Sequence, residues 1–172
     1  MTIAYDSIME RTSFSGMSCP VALALEHVGE WWSILILRDA THGVTRFEHF
    51  QRSLGISTNS LTRRLNALVE AGLLERRRYS ERPPRDEYVL TQAGHDFRPV
   101  LIALYAWGQQ HFPPDEVNVR LVDRTTGLDV DPVLIDRASG DPLDDAHTEF
   151  LPGPAADDRL RATLAARAGG AG

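Results

Sequence analysis

Residues 45–72 read TRFEHFQRSLGISTNSLTRRLNALVEAG, and this stretch decides the fold. Phe47, Phe50 and Leu54 recur at i, i+3 and i+7, which predicts a short helix over Thr45–Leu54. Gly55-Ile56-Ser57 comes next as a tight turn. A longer helix is then predicted over 58–71, with Leu61, Leu65, Leu68 and Val69 on one face and Ala71-Gly72 suited to a left-handed end. Helix, short glycine-bearing turn, helix is the helix-turn-helix arrangement. At about 100° per residue the four apolar side chains occupy about a third of the circumference. Asn59, Ser60, Arg63 and Asn66 fall opposite them, with Thr62 and Arg64 on the flanks. Asn and Arg are the side chains that pair with adenine and guanine edges, and the N-terminal half of a recognition helix is the part that meets bases. Any solvated helix face carries such residues, so this face gains its weight from the arginine-rich segment next to it in the chain.

That segment is a predicted β-hairpin, or wing. Leu73–Tyr79 and Asp86–Thr91 read as short strands around a Ser80–Arg85 loop containing Pro83-Pro84. Arg82 and Arg85 bracket the two prolines, which stiffen the loop and lower its ordering cost. Such a loop can hold guanidinium groups at phosphates or in a minor groove. Strand side chains alternate, so Arg77 cannot share a face with Arg76 and Arg78, and one set is expected to pair with Glu75 or Glu87. Thr91 is a plausible cap for a last helix reaching His111, with Pro99 expected to kink it or limit its first turn.

Upstream, Pro20 opens a helix that ends near Gly29. Ser33 is the expected cap of a second helix carrying Ile34, Leu35, Ile36 and Leu37. That helix is apolar nearly all round and is predicted to be the most buried element. Beyond Pro113-Pro114, Leu121-Val122-Asp123-Arg124-Thr125-Thr126-Gly127 returns as Leu134-Ile135-Asp136-Arg137-Ala138-Ser139-Gly140. Each copy is an apolar strand end running into a glycine turn, which predicts two small hairpins or a short meander. The Ala-rich end could hold one weak helix at 155–168. The expected architecture is mainly α, a winged helix-turn-helix with a small β-hairpin wing and a small C-terminal β-hairpin or meander extension. An arm covers 1–18, the DNA-binding and dimerisation domain 19–112, the β-rich extension 113–150, and an Ala/Gly-rich tail 151–172.

Charge placement agrees with this division. The chain has 172 residues and a net charge of −6, and all 18 basic residues are Arg. Residues 113–172 hold 6 Arg against 12 acids, whereas residues 46–85 hold 9 Arg against 4 Glu, net +5. Local field rather than total charge decides what the basic island binds. No apolar run reaches the ~18 residues of a membrane span, and the N-terminus lacks a basic stretch followed by an apolar one. A soluble, cytoplasmic protein without membrane contact is expected. A lone cysteine excludes an intrachain disulfide or a Cys-based zinc site, and His27, His42, His49, His95, His111 and His147 show no metal-pair spacing. No metal, no cofactor and no enzyme activity are expected, since phosphate-cradling glycines, a nucleophile elbow and a convincing acid pair are all lacking.

Cys19-Pro20, Gly29-Glu30-x-Trp32, Leu35-Ile36-Leu37-Arg38, Arg46-Phe47, Leu61-x-x-Arg64-Leu65-x-x-Leu68, Ala71-Gly72-Leu73-Leu74, Arg82-Pro83, Tyr88-x-Leu90-Thr91-x-x-Gly94 and Trp107-Gly108 occur in order. This series resembles HxlR-type winged helix-turn-helix regulators, relatives of the MarR group. The resemblance implies a homodimeric bacterial transcription factor, often a repressor. It also implies that Cys19 can act as a redox switch, the thiol lying at a helix start whose partial positive charge favours thiolate. The plainer reading of Cys19 is a small, half-buried residue with no redox role.

The dimer has a physical argument as well. Ile102, Tyr105 and Trp107 cannot all share a side with Phe97, Leu101 and Leu104. A two-fold dimer would bury the second stripe and set two recognition helices about one DNA turn apart. The C-terminal hairpins of the same chain are the other candidate cover. Trp32, Tyr105 and Trp107 are candidates for a dimer seam or a small-molecule effector pocket, and anchoring is the commoner use of such rings. The expected function is sequence-specific binding of double-stranded DNA at a two-fold symmetric operator. Asn59, Ser60, Arg63 and Asn66 read bases, with Thr62 beside them and Arg64, Arg82 and Arg85 on the backbone or minor groove. The alternative is a winged-helix interaction or ligand-binding module that does not read DNA.

Overall fold

The computed structural model describes residues 13–113, 115–116 and 118–168, so most of the expected arm lies outside the described residues. Helix α1 (Pro20–Val28) carries proline in its first turn, as a helix start tolerates, and turns Ala22 and Val28 inward. Helix α2 (Trp31–Thr41) begins almost at once. Ser33 does not cap it: Glu30 occupies the N-cap position, and Ser33 is buried inside the first turn with its N–H donating to the Glu30 carbonyl at 2.8 Å. The chain leaves α1 in a single step, so the two tryptophans enter the helix directly. As the apolar run implies, α2 is deeply buried, with Ile36 and Leu37 fully covered.

Helix α3 (Phe47–Leu54) starts two residues later than expected. Thr45 and Arg46 are instead extended against the wing, where the Tyr88 N–H donates to the Thr45 carbonyl at 2.7 Å and Arg46 bridges Glu87. Helix α4 (Thr58–Glu70) closes as Ala71-Gly72 suggested. Gly72 adopts φ +70°, its N–H reaching Val69 and that of Leu73 reaching Leu68. Those two bonds satisfy the last carbonyls of the helix and reverse the chain into the wing.

The wing pairs β1 (Leu74–Glu81) with β2 (Pro84–Leu90) in antiparallel register from Leu74↔Leu90 to Glu81↔Pro84, with one irregularity between Arg78 and Ser80. The strands are longer than expected. Ser80, Glu81, Pro84 and Arg85 belong to the ladder, leaving Arg82-Pro83, joined by a cis peptide, as the turn. Pro84 is tolerated because it is the first residue of its strand.

Thr91 caps as anticipated, its hydroxyl accepting from the Gly94 N–H at 3.2 Å, but the last helix is two. Helix α5 (Gln92–Asp96) ends at Phe97, and α6 (Arg98–His111) restarts with Pro99 in its first turn. The core joins Val28, Ile36, Leu37, Phe50, Leu61, Leu65, Leu68, Leu74 and Tyr88, so every element of the helix-turn-helix and the wing's base meet in one cluster.

Beyond residue 117 the repeated sequence becomes repeated geometry. Val122 bridges Asp129 and Ile135 bridges Pro142. Gly127 donates to the Asp123 carbonyl and Gly140 to that of Asp136, both at 2.8 Å. Helix α7 (Asp158–Ala168) lies beyond them. None of the described residues from 118 to 166 is buried.

Candidate nucleic-acid interface

Helix α4 is held by one face and presents the other. Leu61, Leu65 and Leu68 are completely buried, whereas Asn59, Thr62 and Arg63 are exposed. With Asn66, Ala67 and Glu70 these three line a shallow concavity along the outward side of the helix. The start of α4 is firmly built. The Ser57 hydroxyl accepts from the Ser60 N–H at 3.3 Å and lies 3.0 Å from the Ser60 hydroxyl, and Gln51 of α3 donates to the Thr58 hydroxyl at 2.9 Å. Thr62 donates to the Thr58 carbonyl at 2.8 Å. An N-terminus fixed in this way offers its free N–H groups and positive dipole end to an anion such as a phosphate.

The structure separates the expected site residues into three groups. Asn59, Thr62 and Arg63 share the open face, and Arg63 has no ion pair among the described residues. Ser60 and Asn66 lie beside them with polar atoms engaged: Ser60 in the cap, and Asn66 accepting from Arg76 of β1 at 2.6 Å. Arg64 differs from its neighbour Arg63. It is turned inward and buried, with its guanidinium 2.8 Å from the Glu30 carboxylate on the α2 side of the helix. A flank position at this angle faces the neighbouring helix, which puts the Arg64 guanidinium on the inner side of α4.

On the wing, alternation sorts the arginines. Arg77 pairs with Glu75 at 2.6 Å, and Arg78 with Asp86 at 2.7 Å. The hydrogen bond to Asp86, ahead of its charge, raises the Arg78 pKa above its ordinary value. Arg76 lies over the Tyr88 ring, 5.4 Å from its centroid. Arg82, in the turn, and Arg85, beside it on β2, are exposed and without an ion pair among the described residues. They are the free cations of the wing tip. Arg46, part of the basic island but given no role by sequence reasoning, stacks over Tyr79 at 4.6 Å and joins this surface where the wing meets α3. Its signal was Arg46-Phe47 at a helix start; the strand pairing that places it could not be read locally.

The remaining candidates lie on other elements. Cys19 is exposed at the N-cap position of α1 and makes no side-chain cap bond. Trp32 packs partly buried against the core. Trp107 meets His111 at a tilt and Phe112 edge-on, with centroids 5.5 and 5.1 Å away, and Tyr105 donates to the Val119 carbonyl at 3.4 Å. No ring contact joins Trp32, Tyr105 and Trp107 among the described residues. Among the described residues no group of three or more His, Cys, Asp or Glu could hold a metal ion, and no helix is long and apolar enough to cross a membrane.

Residues 27–116 match the model of the HxlR-like helix-turn-helix family. An uncharacterized HTH-type transcriptional regulator of Mycobacterium tuberculosis is 42% identical over 142 residues, covering 82% of this chain and 89% of the relative. A solved structure assigned as a transcription factor, PA1374 of Pseudomonas aeruginosa, is 52% identical, covers 85% of this chain and 100% of its own, and superposes with a TM-score of 0.59. A second such structure, PA1607, is 45% identical, covers 81% of this chain and 98% of its own, and superposes with a TM-score of 0.72.

Proposed function

The chain belongs to the HxlR-like helix-turn-helix family of DNA-binding transcriptional regulators, and we propose that it works in the cytoplasm as a homodimeric repressor that reads a two-fold symmetric operator. In this reading Asn59, Thr62 and Arg63 contact base edges in the major groove. The capped start of α4, with Ser60, meets phosphate. Arg82, Arg85 and Arg46 hold the flanking backbone or minor groove. The observation that carries the reading is the two-sidedness of α4, whose buried leucine face is backed by the core while its opposite face carries exposed, unpaired Arg63 beside Asn59.

Dimerisation is supported by apolar surface that a single chain leaves open. Helix α6 has no buried residue, and Val100, Leu104 and Trp107 are about half exposed at 46%, 44% and 55%. Val21 of α1 is 64% exposed. The extension covers little of this surface, so the second copy is the cover we adopt. An isologous contact through α1 and α6 pairs the two recognition helices.

Selection of bound duplexes from a random pool tests the reading. A two-fold symmetric consensus with half-sites about one helical turn apart is expected. Failure to enrich any sequence, or salt-independent binding, overturns it. Sensitivity to oxidants through Cys19 is a separate part of the proposal. It requires Cys19→Ser to abolish any loss of DNA affinity caused by peroxide, and an unchanged response removes Cys19 from the mechanism.

A further inference from the structure

Arg64 stands beside Arg63 on the recognition helix, yet the two do different things. Arg64 is 9% exposed, and its Nη2 lies 2.8 Å from Glu30 Oε2. Its Nε is buried without an acceptor among the described residues, which leaves the ion pair with Glu30 as the polar contact that compensates the buried guanidinium. Glu30 occupies the N-cap position of α2, one residue after α1 closes on Gly29. The pair therefore ties α4 to the junction between the first two helices.

The leucines that seat α4 cannot supply what this pair supplies. Apolar burial is non-directional, so the ion pair adds a point-to-point restraint to the close packing of Leu61, Leu65 and Leu68. With side chains reaching about 5–6 Å from that axis, a roll of roughly 30° moves their ends by about 3 Å. A hydrogen bond to a base edge does not survive such a shift. A buried ion pair on the inner flank resists the roll because drawing Arg64 away from Glu30 would leave a buried charge without its counter-charge.

We infer that Arg64 is a positioning residue for base reading: its ion pair with Glu30 fixes the roll of α4, and so fixes which of Asn59, Thr62 and Arg63 face the groove. The inference rests on the DNA-reading function proposed above. It assigns to Arg64 discrimination between sequences, with no direct contact to phosphate or base. Because α1 is part of the proposed dimer seam, the same pair also holds each recognition helix to the frame that sets their spacing.

The test uses full-length protein, the duplex selected by the wild type, and a random-sequence duplex of equal length. Glu30→Gln, Arg64→Gln and Arg64→Lys are compared for affinity to both duplexes, for the salt slope on the random duplex, and for melting temperature. Glu30→Gln and Arg64→Gln are expected to lower the selected-to-random affinity ratio about tenfold or more while leaving the salt slope unchanged. Arg64→Lys, which keeps a cation for Glu30, recovers most of the ratio. Should Arg64→Gln fail to fold, Glu30→Gln carries the test, since it leaves Arg64 and its neighbours in place.

A ratio within twofold of wild type in folded Glu30→Gln overturns the inference. So does a salt slope that falls by about one in Arg64→Gln but not in Glu30→Gln, which would show Arg64 touching phosphate directly. A wild type with no sequence preference refutes the function itself, and the positioning role falls with it. That outcome is told apart because it appears before any substitution is made.

Discussion

Asn66 of the recognition helix accepts a 2.6 Å hydrogen bond on Oδ1 from Arg76 of the first wing strand. The contact joins the two halves of the proposed interface and changes what Asn66 can do. A bidentate pair with adenine needs both amide groups, and one of the two acceptor positions on Oδ1 is already taken. Arg76→Ala frees Oδ1 and also removes the cation stacked on Tyr88. Because the pair is exposed, a stability loss of only about 0.5–1 kcal/mol is expected. Repeated selection from a random pool should show altered preference at one base pair per half-site. An unchanged consensus would mean that Asn66 serves as a structural tie alone.

Arg63 and Arg82 should differ in kind. Arg63 lies on the exposed α4 face and Arg82 in the wing turn, and neither has an ion pair among the described residues. Arg63→Ala is expected to lose about 1–3 kcal/mol of discrimination at one base pair. Arg82→Ala is expected to weaken selected and random duplexes alike and to reduce the salt slope by about one. Titrations of both duplexes at several salt concentrations separate these patterns. Identical behaviour of the two variants would contradict the division of labour between helix and wing.

Gly94 of α5 packs against Leu73, which links α4 to β1, and against Leu90 of β2. A Cβ at this buried position would press on the Leu73 carbonyl and stand 2.8 Å from Leu90 Cδ2. The same Leu73 carbonyl accepts from the Thr91 N–H at 3.1 Å, so it is not free to move away. Gly94→Ala should therefore cost about 1–3 kcal/mol by overpacking. Denaturant unfolding measures this, and a loss under about 0.5 kcal/mol would show that the junction can relax.

Much of this interface was legible because its elements announce themselves locally. The leucine spacing of 61, 65 and 68 marks the buried face of α4, Gly72 its end, and Arg82 with Arg85 a charged wing tip. What escaped was set by partners distant in sequence. Arg64 looked like a flank residue until α2 brought Glu30 against it, and Asn66 looked free until β1 brought Arg76. Ser33 fits the usual cap preference, but the abrupt α1–α2 junction moved the helix start to Trp31. Periodicity reports which side of a helix is wet, but not which polar group on the boundary is claimed by a neighbour.

Helix α6 should hold the dimer. Leu104 is 44% exposed on a helix with no buried residue. Leu104→Asp would place two charges in the two-fold seam, a desolvation cost that leaves the core of the single chain untouched. Sedimentation is expected to show a shift toward monomer, together with weakened binding of the full operator. A dimer of wild-type strength would put the contact elsewhere on the chain.

The two aspartate turns of the extension give a pH signature. Asp123 is held below the ordinary carboxylate pKa chiefly by the backbone N–H of Thr126, then by its hydroxyl and the N–H of Thr125. Asp136 is lowered in the same direction, first by the backbone N–H of Ser139. A carboxylate whose pKa is depressed in the folded turn stabilises that turn at every pH above its unfolded value, about 3.9. That contribution disappears as pH falls through the lower, folded value. The turns are thus expected to stay closed from neutral pH down to about pH 4 and to open only in stronger acid. Amide signals of Thr126 and Ser139 followed by NMR provide the readout. Asp136→Ala should open the second turn at neutral pH while leaving Asp123 and the binding of random duplex unchanged, because no described residue of the extension is part of the α4 and wing surface. Opening of either wild-type turn between pH 7 and 5 would contradict the sign of the shift.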